Sequence, residues 1–152
     1  DDALAAFDDG RMALALDLVN VRMILEPGIA EMAALHATSE DVKRLRQLCG
    51  IIEDKIENGE NYIEEDIAFH TGVARCSGNK VVEQLVPLID TAVMMFVNVT
   101  HRRLTEETIM THRAVTDAIE EKDPMGAKSA MMMHMTFNRN MIRQLMKDGR
   151  EA

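Results

Sequence analysis

The chain has 152 residues, of which 47% are hydrophobic and 28% charged, and its formal net charge is −9. That length supports one domain with a buried core, and the composition excludes a disordered chain. The acidic balance speaks against nucleic-acid binding by these residues themselves, since phosphate contacts need clustered Lys and Arg; no apolar run reaches membrane-spanning length, so no membrane partner and a cytoplasmic location are expected.

Aromatic residues make up only 3%, whereas Met is abundant at 13. A core of Met, Leu and Ala suits packed helices better than a sheet. The first long helix is expected from about Arg11 to His36, with Leu14, Leu18, Val21, Leu25 and Ile29 inward and a kink where Pro27 interrupts it. A short helix in DDALAAF precedes it, ended by Gly10. Thr38 caps the second helix, whose stripe is Val42, Leu45, Leu48, Ile52 and Ile56 and which Gly59 closes. Asn61, with Glu64 three residues on, opens a third helix that ends at Ser77-Gly78. Asn79 caps a fourth through Val82, Leu85, Leu88, Ile89, Val93 and Phe96, bent at Pro87. Thr105 starts the fifth, with Ile109, Val115 and Ile119 inward. Asp123-Pro124, a cap followed by proline at the first helical position, starts the last, with Ala127, Met131, Phe137, Met141 and Leu145 inward. Short connections make neighbours antiparallel. The expected fold is all-α, a single antiparallel bundle of six to seven helices over residues 1–152.

Asp66 and His70, four apart in IEEDIAFHTGVA, leave one face of the third helix one turn apart. His112 in IMTHRAVTDAI and His134 in AMMMHMTFNRN follow the apolar stripes of the fifth and last helices. A carboxylate and three imidazoles in a core are costly unless something binds them, and a divalent metal ion is the simplest partner. The set suits Zn and equally admits Ni, Mn or Fe(II). The plainer alternative is that each histidine is a satisfied core residue and the Asp66–His70 pair an ordinary hydrogen bond. His36 and His101, without a carboxylate at helical spacing on an apolar face, are read as ordinary histidines. Arg22, in LVNVRMILEP, could clamp a carboxylate in bidentate fashion or simply pair with Glu26, four residues on. Arg102-Arg103 reads as a solvated helix end, and Cys49 and Cys76, which fit no metal or redox spacing, as buried reduced thiols.

Taken together, VRMILEPGIAEMAA, DIAFHTGVARCSGN, HRAVTDAIEEKD and AMMMHM resemble the FadR C-terminal (FCD) effector-binding domain of GntR-family bacterial transcription regulators, from about Leu18 to Leu145. The resemblance is to the metal-dependent branch, whose ligand positions fall on Asp66, His70, His112 and His134 and whose cavity-facing arginine falls on Arg22. It implies a bundle with a central ligand and metal cavity, a small organic acid as effector, a homodimer, and DNA contact only through an N-terminal winged helix-turn-helix that has no counterpart in this sequence. The chain is accordingly expected to be a piece of a longer regulator, or else a stand-alone homologue. One departure is Lys122, where the family usually has glycine before the Asp. The alternatives to a sensing domain are a helical metalloenzyme using a metal-bound water, against which stands the lack of a base one turn from the ligands, and a purely structural helical module.

Overall fold

The computed structural model describes residues 2–100 and 104–151, with side chains over 10–100 and 104–149; His101, Arg102 and Arg103 lie outside the described residues. The order is α1 (Asp2–His36), α2 (Ser39–Glu57), α3 (Ile63–Cys76), α4 (Lys80–Glu83), α5 (Val86–Thr100), α6 (Thr105–Glu120) and α7 (Pro124–Glu151). All of the described elements are helices, as expected, and none is long and apolar enough to cross a membrane.

Local chemistry explains most boundaries. Thr38 accepts from Asp41 N while Asp41 accepts from Thr38 N, a reciprocal cap that starts α2. Asn61 Oδ1 accepts from Ile63 N at 3.0 Å, which opens α3 without the expected contribution from Glu64. Asn79 Oδ1 accepts from Val81 N and Val82 N, and Asp123 Oδ1 from Gly126 N. Two sequence expectations fail. Gly10 does not end a helix; α1 runs through it, because one internal glycine costs only about 1 kcal/mol and is outvoted by its neighbours. Pro27 lies inside the continuous α1, where the sequence places it. Pro87 does more than bend its helix. The chain turns at Gln84–Leu85 and restarts at Val86, so proline sits in the first turn of α5, where its missing N–H has no bond to lose.

α1 packs most extensively on α7, α7 also on α6, and α3 touches α1, α2 and α5. The core runs through Ala15, Val19, Ala30, Leu45, Ile52, Phe69, Val93, Val115, Met131, Met135 and Ile142. On α1 and α7 the buried line is rotated by about one residue from the expected stripe. Leu14 and Val21 are exposed, while Ala15, Val19, Arg22, Glu26, Ile29 and Ala33 face inward. On α7, Met135 and Ile142 are fully buried and Phe137, Met141 and Leu145 only half-buried. On α5, Leu88 is exposed too. Close helix packing favours the alanine face of α1, which a count of bulky residues does not find. Cys49 and Cys76 are buried separate thiols, and burial pushes Cys76 up to about 12.

Two helix ends show what glycine contributes. At the end of α2, Glu60 N bonds Lys55 O and Gly59 N bonds Ile56 O, with Gly59 at φ 68°. The end of α6 repeats this hydrogen-bond pattern through Asp123 N to Ala118 O and Lys122 N to Ile119 O, but the residue at φ 55° is Lys122. A Cβ in the left-handed region costs energy that glycine avoids. Lys122→Gly is therefore expected to stabilise the fold by about 0.5–1 kcal/mol after glycine's own entropy cost. Urea denaturation reads this directly, and an unchanged or lowered midpoint would contradict it.

Candidate metal centre

Three helices bring their histidines together at one buried point. Phe69 and His70 lie on the inward face of α3 with Asp66 one turn earlier; His112 comes from α6 and His134 from α7. All four polar residues are buried. His70 Nε2 lies 3.2 Å from His134 Nε2 and 3.4 Å from His112 Nε2. Asp66 Oδ1 stands 3.4 Å from His70 Nε2 and 3.2 Å from His112 Nε2. The three imidazoles each offer one atom within 4.8 Å of the others. The three histidines thus come together, and Asp66 Oδ1 stands beside two of them.

The rings are held from behind. His70 Nδ1 is 2.6 Å from Glu26 Oε1, and since Glu26 is ionised the imidazole N–H donates. Thr111 Oγ1 gives its proton to Glu107 O at 2.6 Å, so at 2.7 Å from His134 Nδ1 it accepts. Both bonds put the proton on Nδ1 and turn an Nε2 lone pair toward the shared point. His112 is set by stacking on Phe69, with ring centroids 4.2 Å apart.

The electrostatics differ among the three imidazoles. Burial pushes His134 well below the usual imidazole value, and the nearby His112 and His70 push it further. Burial also lowers His112, against the attraction of the Asp66 carboxylate. Burial opposes a charge on His70 too, but Glu26 and Asp66 outweigh it and raise the group. Burial would raise Asp66, yet the nearness of the His112 and His70 rings holds it well below the usual carboxylate range. Burial is likewise overcome at Glu26, which Arg22 and His70 hold at about 2.

The donor set fits a divalent cation. Ligand atoms about 2.1 Å from a common ion stand roughly 3.0 Å apart at right angles and roughly 3.4 Å apart in a tetrahedron, which brackets the four separations from His70 and Asp66 given above. Asp66 Oδ1 has no hydrogen-bond partner although it is buried. A buried oxygen without a donor is costly, and a cation at this point would satisfy it.

Arg22 is also inward and buried. Its Nε pairs with Glu26 Oε2, the plain partnership open to it from the sequence, and Nη2 is 3.4 Å from both His70 nitrogens. Its Nη1 is buried without a partner. Glu26 and Thr111 went unrecognised in the sequence as parts of this centre. The signal for Glu26 was its place one turn after Arg22 on the alanine-lined face of α1. For Thr111 the only signal was its adjacency to His112.

The model of the FCD domain matches residues 17–137. The chain belongs to the FCD domain family. It is 30% identical to YcbG, an HTH-type transcriptional regulator of Bacillus subtilis, over 86% of this chain and 57% of the relative. It is 29% identical to the HTH-type transcriptional repressor NanR of Escherichia coli K12, over 76% of this chain and 45% of that protein. The solved structure of Streptococcus agalactiae GntR superposes with a TM-score of 0.74 at 33% identity, covering 86% of this chain and 60% of that one. The FCD domain thus spans about half the length of the curated relatives it matches. The family and these relatives are transcription regulators and not enzymes.

Proposed function

We propose that this FCD domain senses a small organic acid through a divalent metal ion and thereby controls DNA binding by a separate N-terminal domain of a GntR-type regulator. The observation that carries the reading is the meeting of three imidazole nitrogens and an unpartnered carboxylate oxygen at one buried point. Asp66, His70, His112 and His134 would hold the ion, with Zn first among the candidates and Ni, Mn or Fe(II) admitted by the same donors. When bound, the ion supplies a fixed positive charge that attracts a carboxylate.

The chain's own residues do the rest. Arg22 offers the unpartnered Nη1 as a hydrogen-bond donor to the acid. Because the donors come from α3, α6 and α7 and the guanidinium from α1, a ligand spanning them has different affinities for different helix arrangements. Differential affinity is the only way a ligand can shift a conformational equilibrium. A homodimer is the proposed working form; exposed Leu14, Val21, Ile24 and Leu35 along α1 support an apolar contact.

Elemental analysis of the purified chain, followed by calorimetry with hydroxy and sugar acids on metal-loaded and chelated protein, tests the proposal. One tightly held divalent ion per chain and carboxylate binding only to the loaded form are expected. Metal-free protein that takes up no ion, or acid binding that chelation leaves unchanged, would overturn it and favour a purely structural module.

A further inference from the structure

Glu26 is a fully buried carboxylate used at both ends. Oε1 accepts from His70 Nδ1 at 2.6 Å, and Oε2 accepts from Arg22 Nε. It is not one of the converging donors; it stands behind His70, on the other side of the ring from the shared point. It also sits on a different element. His70, His112 and His134 belong to α3, α6 and α7, and none of the four proposed metal ligands is on α1. α1 therefore meets the centre through Glu26 and its partner Arg22.

We propose that Glu26 is a positioning residue that makes α1 the reader of metal occupancy, its carboxylate tying α1 to the back of His70. This rests on the metal-centre reading above. The physical link is short. A cation at Nε2 withdraws electron density from the imidazole, so Nδ1–H becomes a stronger donor to the carboxylate. The bond that tightens is the one joining α3 to α1. By reciprocity, whatever affinity Glu26 adds for the ion, the ion returns as affinity of α1 for α3. Thr111 performs the same orienting task for His134, but it bonds within α6 and to α7 and so carries no message to α1.

The test uses Zn2+ alone on the whole chain. Glu26→Gln, whose neutral amide oxygen is a weaker acceptor for His70 Nδ1–H than the carboxylate, is expected to weaken Zn2+ binding about 10-fold, the low end of the usual effect of removing the partner of a ligating histidine. Thr111→Val should weaken it by a similar factor. In the unaltered chain, saturating Zn2+ should slow amide hydrogen exchange in α1 as well as in α3, α6 and α7. In Thr111→Val the α1 slowing should persist at saturation; in Glu26→Gln, where a neutral bond replaces the charged one, it should shrink selectively while the other three helices keep theirs.

An α1 response as large in Glu26→Gln as in the unaltered chain, or unchanged Zn2+ affinity, overturns the inference. If the lone guanidinium stops the variant folding, Arg22→Met/Glu26→Gln replaces it. The imidazole proton spectrum of the unaltered chain gives an independent reading. Zn2+ should move the His70 Nδ1–H resonance downfield, and a resonance that does not move counts against Glu26. Zn2+ that binds without any α1 response sinks this inference alone, whereas a chain that binds no Zn2+ sinks the metal centre with it.

Discussion

Replacing His112 with alanine is expected to raise the Kd for Zn2+ by at least about 100-fold, beyond the roughly 10–100-fold seen when only a ligand's hydrogen-bond partner is removed. His134→Ala should do the same. Neither variant should lose its fold, because His112 and His134 are buried imidazoles kept neutral, and His112 Nδ1 has no partner to lose. The contrast is His36→Ala. His36 is exposed at the end of α1, where it packs beside Gly78. At Zn2+ one hundred times the unaltered Kd, linkage gives about 2.7 kcal/mol of stabilisation, and a hundredfold weaker site retains only about 0.4. Competition with a chelating indicator and thermal unfolding with and without Zn2+ measure both quantities. Equal Zn2+ affinity in His36→Ala, His112→Ala and His134→Ala would refute the ligand assignment.

The same residues show how far the sequence could be read. The turns were legible because their chemistry is local: Thr38, Gly59, Asn79 and Asp123 each act on backbone groups within a few residues. The three histidines that come together were legible because a histidine on an apolar stripe is conspicuous. The face of α1 was not. Its inward line mixes small alanines with a charged pair, so a tally of large apolar residues points about one residue away, at Leu14 and Val21. Glu26 was hidden by the same effect. A carboxylate next to an arginine at helical spacing looks like a surface ion pair, and only the arrival of His70 from α3, 44 residues away, explains why both are buried. The split between α4 and α5 turned on whether the helix continues ahead of Pro87, which tertiary packing decides.

Arg22→Met should be the costliest single change to the fold itself. The Arg22–Glu26 pair is buried at both ends, with side chains 3% and 2% exposed. Removing one partner of such a pair strands the other charge in the core, typically at about 3–5 kcal/mol. Glu26 keeps only the imidazole of His70, which is no full substitute for a guanidinium. Arg22→Met/Glu26→Gln should recover more than half of that loss, because the amide carbonyl can still accept from His70 Nδ1 and no uncompensated charge remains. Urea denaturation of the two variants reads the difference. A loss under about 1 kcal/mol in the single variant, or a double variant as unstable as the single, would show that the pair is not a coupled buried unit. The same arithmetic governs the effector question. Lost acid binding in Arg22→Met alone would confuse a damaged core with a missing donor; in the folded double variant loaded with metal, lost carboxylate binding reports on the Nη1 donor. Acid affinity that survives there would remove Arg22 from the effector site and leave it as the counter-ion of Glu26.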